Sequence, residues 1–195
     1  MAFDYPVMLD LGGADVLVVG GGNVSGRKIS GLVEAGACVT VVAPEVSETV
    51  AGLVARAEVR PFAPADVHGR TMVFTCTDDP VVNAAVAEAC RAANVWVNSA
   101  DDPTNCTFAL PAVAKQGRIV VAVGSGGASP ALAQYVRRRI ADEILDERVA
   151  AAADVLAAER DAIHAAGGST EGLDWGARLR TLLGESNRPE VGPAS

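Results

Sequence analysis

The chain has 195 residues, half of them hydrophobic, which is enough for one ordinary domain or for one domain with a small appendage and excludes a disordered chain. It carries 24 acidic and 16 basic residues, a net charge of −8, which argues against a general nucleic-acid binder. Four cysteines without a CxxC pair argue against structural zinc and fit free thiols in a reducing cytoplasm.

The N-terminal segment carries Asp4 and Asp10 where an export signal needs positive charge before an apolar run, so no export signal is expected. The longest uncharged stretch, residues 119–136, is interrupted by glycines, serines and a proline. We therefore expect no membrane-spanning segment there.

Between residues 15 and 111, short β-branched runs alternate with alanine-rich stretches of helical length, which is typical of βαβ units around a parallel sheet. The predicted strands are residues 16–20, 38–43, 58–62, 71–77 and 95–99. The predicted helices are residues 23–35, 47–57 and 81–93. Uninterrupted apolar strands indicate a sheet covered on both faces. The pattern predicts an α/β, Rossmann-like domain over residues 1–111.

After Leu110 the sequence changes character. One more apolar strand, residues 118–123, leads into the glycine-rich residues 124–127, and a long helix is predicted to begin near Ser129. Charged and apolar residues at helical spacing predict a separate helical region that breaks at residues 167–170. Residues 185–195 are expected to form a disordered tail.

The first predicted strand runs directly into a glycine-rich turn and a helix, the context that the GxGxxG dinucleotide fingerprint requires. Gly20 would permit the tight turn, and Gly22 would let the backbone approach a pyrophosphate at the helix start. Ser25 stands at the third fingerprint position, which packs helix on strand. The alternative is an ordinary turn between strand and helix in which glycine supplies a positive φ.

Glu45 follows the second predicted strand, 23 residues past Gly22. A carboxylate at about this distance, roughly 20 residues, bonds the adenosine ribose in dinucleotide sites. Residues 29–55 include no arginine or lysine to meet a 2′-phosphate, which favours NAD over NADP. The alternative is that Glu45 is a surface residue opening a helix.

Five segments together resemble the precorrin-2 dehydrogenase family of siroheme synthases. They are YPVMLDL at residues 5–11, VVGGGNVSGRK at 18–28, TDDPVVN at 77–83, NSADDP at 98–103 and GSGGASPALA at 124–133. In this order they are far more specific than the glycine turn alone. The departures are Ser25 and Gly26, where the family commonly has Ala and a larger residue, and Ala100, where a valine is common.

The resemblance implies NAD-dependent oxidation of precorrin-2 to sirohydrochlorin, on the route to siroheme, followed in some members by insertion of ferrous iron. It also implies a homodimer formed through the region after the Rossmann domain. The expected organisation is a Rossmann-like parallel sheet over residues 1–111, a dimerisation segment over 112–147 and a small helical domain over 148–184. An NAD(H)-sensing Rossmann module without turnover is the alternative function.

The family's aspartate that is linked to both chemistries maps onto Asp101. A carboxylate beside the cofactor is a sensible base for dehydrogenation, and Asp101 follows the strand predicted at residues 95–99, at the sheet edge where ligands bind. The alternative is that Asp101 or Asp102 only bonds its own backbone, because Asp-Asp-Pro is a common turn sequence.

Further binding residues follow from the resemblance. The dinucleotide contacts map onto Asn23, Val24, Pro44 and Glu45, and Thr77 joins them at the end of the fourth strand. For Asp79, a helix cap is the expected role. In the second region Ser125, Gly126 and Gly127 either line the tetrapyrrole pocket or only turn the chain. No residue is assigned to a metal.

Overall fold

The computed structural model describes residues 3–100 and 102–185. The chain divides into two compact units, Met1–Leu110 and Pro111–Ser195. The tail expected at residues 185–195 lies outside the described residues from 186 onward. Within the described part, no helix is long and apolar enough to cross a membrane.

The first unit is built on a five-stranded sheet in the order β3-β2-β1-β4-β5, with every neighbouring pair parallel. The strands are β1 Asp15–Val19, β2 Cys38–Ala43, β3 Arg56–Val59, β4 Met72–Thr75 and β5 Trp96–Ser99. The helices are α1 Asn23–Glu34, α2 Glu48–Ala51 and α3 Pro80–Ala92. This architecture confirms the predicted Rossmann-like fold, and it brings the carboxyl ends of all five strands to one edge.

Helices cover both faces of this sheet, as the uninterrupted apolar strands predicted. Val16 and Val18 of β1 pack with Ile29 of α1 in one core cluster. Leu17 and Val19 point to the opposite face, in the cluster that contains residues of α3. Because side chains alternate along a strand, a strand covered on both faces must be apolar at every position.

Two elements differ from the sequence prediction. The helix predicted over residues 47–57 is the single turn α2, and the strand predicted over residues 58–62 lies earlier, as β3. Ser47 caps α2 by accepting a hydrogen bond from the amide of Val50 at 3.3 Å. Gly52, at the C-cap, follows the helix after only four residues. Ala57 and Val59 thus lie in the sheet instead of extending the helix.

Up to residue 185, the second unit consists of a hairpin and three helices: β6 Ala112–Gln116, β7 Ile119–Val123, α4 Pro130–Glu143, α5 Glu147–Ala165 and α6 Trp175–Leu183. Strand β6 was missed by the sequence prediction. Its buried positions are Ala112 and Ala114, whose small side chains give a weak apolar signal. Gly117, with φ of 55°, makes the turn to β7.

The helical region of the second unit begins near Ser129 and breaks after Ala165, as predicted, but it also breaks after Glu143. At that second break Asp146 caps α5 by accepting hydrogen bonds from the amides of Arg148 and Val149, both at 3.0 Å. Helix α4 packs against both hairpin strands, and α6 packs against α5. The division into a dimerisation segment over 112–147 and a helical domain over 148–184 stays a prediction.

Candidate functional site

The turn after β1 is shaped by glycines that no other residue can replace without movement. Gly20 has φ of 121°, and a Cβ there would stand 2.5 Å from the carbonyl oxygen of Cys76. A Cβ on Gly21 would stand 2.1 Å from the carbonyl oxygen of Glu45. The turn is therefore held tightly between the loops that follow β2 and β4.

Gly22 has a different environment. It occupies the N-cap position of α1, and a Cβ built on it meets no atom of the described residues within 4 Å. Without a side chain at this position, no side-chain cap bonds the start of α1. The first amide groups of a helix lack partners within the helix and carry its positive end, so the open space over Gly22 suits an anionic group.

A cleft of about 490 Å³ opens at this turn, on the carboxyl edge of the sheet. Its walls come from the glycine turn and from the loops after β2 and β4, namely Gly20, Gly21, Gly22, Asn23, Val24, Ala43, Pro44, Glu45, Cys76, Thr77 and Asp78. A concave site at the carboxyl ends of parallel strands, beside a helix N-terminus, is the arrangement that binds a dinucleotide.

Most residues predicted to contact the cofactor line this cleft. Seven of the eight do so: Gly20, Gly22, Asn23, Val24, Pro44, Glu45 and Thr77. Ser25 is instead fully buried, with its hydroxyl oxygen 3.3 Å from where a Cβ on Gly20 would stand. It thus occupies the packing position that the fingerprint assigns to its third small residue.

Four further lining residues were missed by the sequence prediction: Gly21, Ala43, Cys76 and Asp78. Gly21 could have been found from the sequence, because the fingerprint requires glycine at Gly20 and Gly22 but does not explain the third glycine between them. Cys76 is buried, and burial raises the pKa of its thiol. It enters the cleft wall only because β4 lies beside β1 in the sheet.

The loop after β2 holds Glu45 beside the turn. The amide of Ser47 donates a hydrogen bond to the carbonyl of Gly21 at 3.0 Å, and the amide of Gly20 donates to Val42 at the end of β2, also at 3.0 Å. Glu45 itself is exposed in the cleft wall. Its carboxylate is thus available to a ligand in the cleft.

The loop after β4 is held by a buried asparagine. Asn83, on α3, accepts hydrogen bonds from the hydroxyls of Thr75 and Thr77 and donates one to the carbonyl of Thr77 at 2.9 Å. Asp79 caps α3 by accepting a hydrogen bond from the amide of Val81 at 2.8 Å, so the expected capping role is what the structure shows. The hydroxyl of Thr77 thus takes part in the hydrogen bonds that stabilise its own loop.

Asp101, the predicted base, lies outside the described residues. Its neighbour Asp102 is engaged within its own loop, where its carboxylate accepts hydrogen bonds from Thr104 at 2.6 Å and Asn105 at 2.7 Å. These bonds lower the pKa of Asp102 below its ordinary value. Asp102 therefore has the turn-stabilising role that the sequence left open for it.

A partly buried lysine on α1 contacts the end of β5. Lys28 of α1 donates a hydrogen bond to the side-chain oxygen of Asn98 at 3.1 Å, and its ammonium stands 5.5 Å from the centre of the Phe74 ring. Burial raises the pKa of the nearby Cys106 thiol, and the Lys28 charge acts in the opposite direction. The sheet edge next to the cleft thus carries a fixed positive charge.

The residues predicted to bind substrate, Ser125, Gly126 and Gly127, belong to the second unit. They form the loop between β7 and α4, in which the hydroxyl of Ser125 accepts a hydrogen bond from the amide of Ser129 at 3.2 Å. Gly126 and Gly127 have φ of 58° and 82°, so the loop requires glycine at these positions. Among the described residues, no group of three potential ligands is placed to hold a metal ion.

Comparisons with known proteins point to one group. The sequence is 42% identical over 139 residues to a siroheme synthase of Methylobacillus flagellatus, covering 69% of this chain and 30% of that protein. It is 39% identical over 163 residues to a siroheme synthase of Tolumonas auensis, covering 82% of this chain and 35% of that one. The chain thus spans about a third of the length of these relatives.

A solved structure, named SirC, precorrin-2 dehydrogenase, matches with a TM-score of 0.69 at 28% identity, over 93% of this chain and 88% of that chain. These similarities confirm the resemblance to the siroheme synthases that the motifs indicated. A family profile described as "Putative NAD(P)-binding" matches residues 7–112, more than half of the chain. On this match, which includes the glycine turn and its cleft, the chain belongs to that NAD(P)-binding family.

Proposed function

We propose that the protein oxidises precorrin-2 to sirohydrochlorin with NAD as the hydride acceptor. The observation that carries the proposal is a dinucleotide cleft in a chain that matches the SirC structure over 93% of its length. The reaction removes one hydride and one proton from precorrin-2, so that the products are sirohydrochlorin, NADH and a proton.

The residues of the cleft fit a dinucleotide. The empty space over Gly22 leaves room for a pyrophosphate beside the amide groups that open α1, and Glu45 offers a carboxylate for the ribose hydroxyls. Bound there, the nicotinamide supplies the hydride acceptor. A carboxylate at Glu45 repels a 2′-phosphate, which favours NAD over NADP.

In this proposal Asp101 takes the proton that leaves the tetrapyrrole. Asp102 is less suited to this role, because its carboxylate already accepts hydrogen bonds from Thr104 and Asn105. The peripheral carboxylates of precorrin-2 require basic partners in a chain whose net charge is −8. Lys28, held at the sheet edge by Asn98, is a candidate for one of them.

The Asp101→Ala variant tests this role. We expect its kcat to fall about 100-fold, because it removes a general base, while its affinity for NAD stays close to that of the wild type. Stopped-flow or steady-state formation of NADH measures the rate, and fluorescence titration with NADH measures binding. A variant with full activity would remove Asp101 from the mechanism.

We further propose that two copies pair through residues 112–147. Several apolar side chains of this segment are exposed, among them Val113 at 51%, Leu132 at 52% and Tyr135 at 57%. Leu132 and Tyr135 lie three residues apart on α4, a spacing that puts them on the same side of the helix, and exposed apolar side chains that neighbour one another mark sites of association. With four unpaired thiols, the protein fits the reducing cytoplasm.

Insertion of ferrous iron into the product remains a separate prediction of the family resemblance. Mixing sirohydrochlorin with ferrous ion, with and without the protein, tests it, because catalysed insertion accelerates formation of siroheme.

The alternative of an NAD(H)-sensing module finds no support in the relatives, which are named as synthases and a dehydrogenase.

The proposed oxidation is tested by incubating the purified chain with precorrin-2 under anaerobic conditions, with NAD in one sample and NADP in another. We expect NADH to form faster than NADPH at equal concentrations. Faster NADPH formation would contradict the cofactor assignment but leave the oxidation of precorrin-2 standing.

A further inference from the structure

Asn83 makes contacts that reach beyond its own helix. It lies in the first turns of α3 and is 8% exposed. Its side-chain oxygen accepts hydrogen bonds from the hydroxyl of Thr75 and, at 2.8 Å, from that of Thr77. Its side-chain amide donates to the carbonyl of Thr77 at 2.9 Å. One side chain therefore holds the two residues that flank Cys76.

Cys76 is the point where the loop after β4 meets the glycine turn. Its amide donates to the carbonyl of Val19 at 2.8 Å, and its carbonyl oxygen stands 2.5 Å from the position of a Cβ on Gly20. Cys76 and Thr77 both line the cleft. A displacement of Cys76 would therefore change the width of the cleft at the turn that faces the pyrophosphate.

The same contacts extend to the next strand. The carbonyl of Thr75 accepts a hydrogen bond from the amide of Ala100 at 2.9 Å, and Ala100 immediately precedes Asp101 in the chain. Thr75 is fully buried, so its side chain touches no ligand. Asn83 thus stabilises Thr75, which leads into the loop after β4 and also bonds the end of β5.

We propose that Asn83 is a positioning residue, which holds the loop after β4 in the shape that binds the dinucleotide. The inference rests on the proposed function only through dinucleotide binding and does not require precorrin-2. The role needs an acceptor for two hydroxyls and a donor for one carbonyl on the same short side chain, which an asparagine amide provides. The competing explanation is that Asn83 only stabilises the fold.

Asp79 supplies a matched control on the same helix. Its carboxylate caps α3 through the amides of Val81 and Val82, whereas only its backbone contacts Thr77. The Asp79→Ala variant thus weakens α3 without removing a hydrogen bond of Asn83. A purely structural role for Asn83 predicts the same binding behaviour for the two variants.

The experiment titrates the full chain with NADH by fluorescence and records thermal unfolding in parallel. For Asn83→Ala we expect the Kd for NADH to rise about tenfold, as loss of a supporting hydrogen bond behind a ligand contact does at other sites. For Asp79→Ala we expect a lowered melting temperature and a Kd within about twofold of the wild type.

Thr75→Val gives a second test that keeps the fold. It replaces a buried hydroxyl by a methyl group of the same shape on β4, and we expect the Kd to rise about threefold because one of the three hydrogen bonds of Asn83 is lost. In steady-state kinetics of Thr75→Val, the KM for NAD should rise by a larger factor than kcat falls.

Three results would overturn the inference. Unchanged affinity in Asn83→Ala, or in Thr75→Val if the first variant does not fold, would show that Asn83 does not position the loop. Equal loss of affinity in Asp79→Ala and Asn83→Ala would leave only a structural role. Wild-type protein that binds neither NADH nor NADPH would overturn the proposed function as well, whereas binding without oxidation of precorrin-2 would overturn the proposed function alone.

Discussion

Gly21 and Gly22 are neighbours in the turn, but the structure predicts opposite consequences for their replacement by alanine. A Cβ on Gly21 meets the backbone of Glu45 at 2.1 Å, so Gly21→Ala should lower the free energy of unfolding by about 1–3 kcal/mol. A Cβ on Gly22 meets nothing, so Gly22→Ala should change stability by less than about 1 kcal/mol, mainly through the helix cap.

For Gly22→Ala, the expected effect on binding is larger than the effect on stability. The methyl group of Gly22→Ala occupies the space proposed for the pyrophosphate, so the Kd for NADH should rise at least about tenfold in a protein of nearly normal stability. Urea unfolding and fluorescence titration of both variants check the pair. Normal binding by Gly22→Ala would place the dinucleotide elsewhere.

Glu45 decides between NAD and NADP in this account. Glu45→Ala should raise the Kd for NAD about tenfold and bring the two cofactors closer in affinity, because the variant loses both the ribose contact and the repulsion of a 2′-phosphate. The side chain is exposed, so stability should change little. An unchanged ratio of the two affinities would make Glu45 the surface residue that the sequence left as the alternative.

At the residue scale, the sequence predicted those site residues that a known chemical pattern requires. Gly20 and Gly22 were predictable because a tight turn and a close backbone approach demand glycine. Asn83 lies within the motif at residues 77–83, but its role is not predictable from the sequence, since a buried asparagine has the same sequence signal as any polar residue in a helix. Its partners Thr75 and Thr77 become visible only once α3 lies against β4.

At the element scale, the connection after β3 carries a charge cluster with a defined pH dependence. Arg60 pairs with Glu58 and Asp66, and the carboxylate of Asp66 also accepts a hydrogen bond from the amide of Ala63 at 2.8 Å. These contacts hold the pKa of Asp66 below its ordinary value of 3.8. A carboxyl whose pKa is lowered on folding stabilises the protein above its unfolded pKa, and the contribution disappears as the pH falls through the folded value.

The Asp66→Asn variant should therefore be less stable than the wild type at neutral pH, by roughly 1–2 kcal/mol, and the difference should shrink from about pH 5 towards about pH 3. Urea unfolding at several pH values measures it. A constant difference across this range would mean that ionisation of Asp66 contributes nothing to stability.

The order of strands and helices around the sheet was predictable from periodicity, whereas the bounds of weak elements were not. Alanine-rich residues after Gly52 resemble a helix in composition, but their pairing with β2 places Arg56 opposite Thr40 in the sheet. The strand β6 shows the same limit, because a hairpin strand whose inward residues are alanines has little apolar contrast. For both β3 and β6, pairing with a neighbouring strand determined the secondary structure, and the local sequence pattern did not.

At the scale of the whole molecule, the four thiols report on the fold. Cys38 is exposed, whereas Cys76, Cys90 and Cys106 are buried, and burial raises the pKa of Cys90 to about 11. At about pH 8 only roughly one in a thousand Cys90 side chains is then a thiolate, so native protein should react rapidly at Cys38 alone. Mass spectrometry after brief alkylation should find one modified cysteine, and four after unfolding. Rapid native modification of Cys90 would contradict the packing of α3.

The proposed dimer is also a property of the whole molecule. Sedimentation at micromolar concentration should give a dimer, and Val113→Asp should weaken it, because a carboxylate replaces an exposed valine of β6. A suitable control is Glu171→Ala, which changes an exposed residue outside residues 112–147. A monomeric wild type would contradict the dimer without touching the cofactor site.

The net charge of −8 makes the choice of substrate the most demanding part of the account, since a polyanionic tetrapyrrole must bind to an acidic protein. The most direct test follows absorbance while purified protein is mixed anaerobically with verified precorrin-2 and NAD. We expect NADH and sirohydrochlorin to appear together, in equal amounts. An unchanged tetrapyrrole spectrum with no NADH would contradict it.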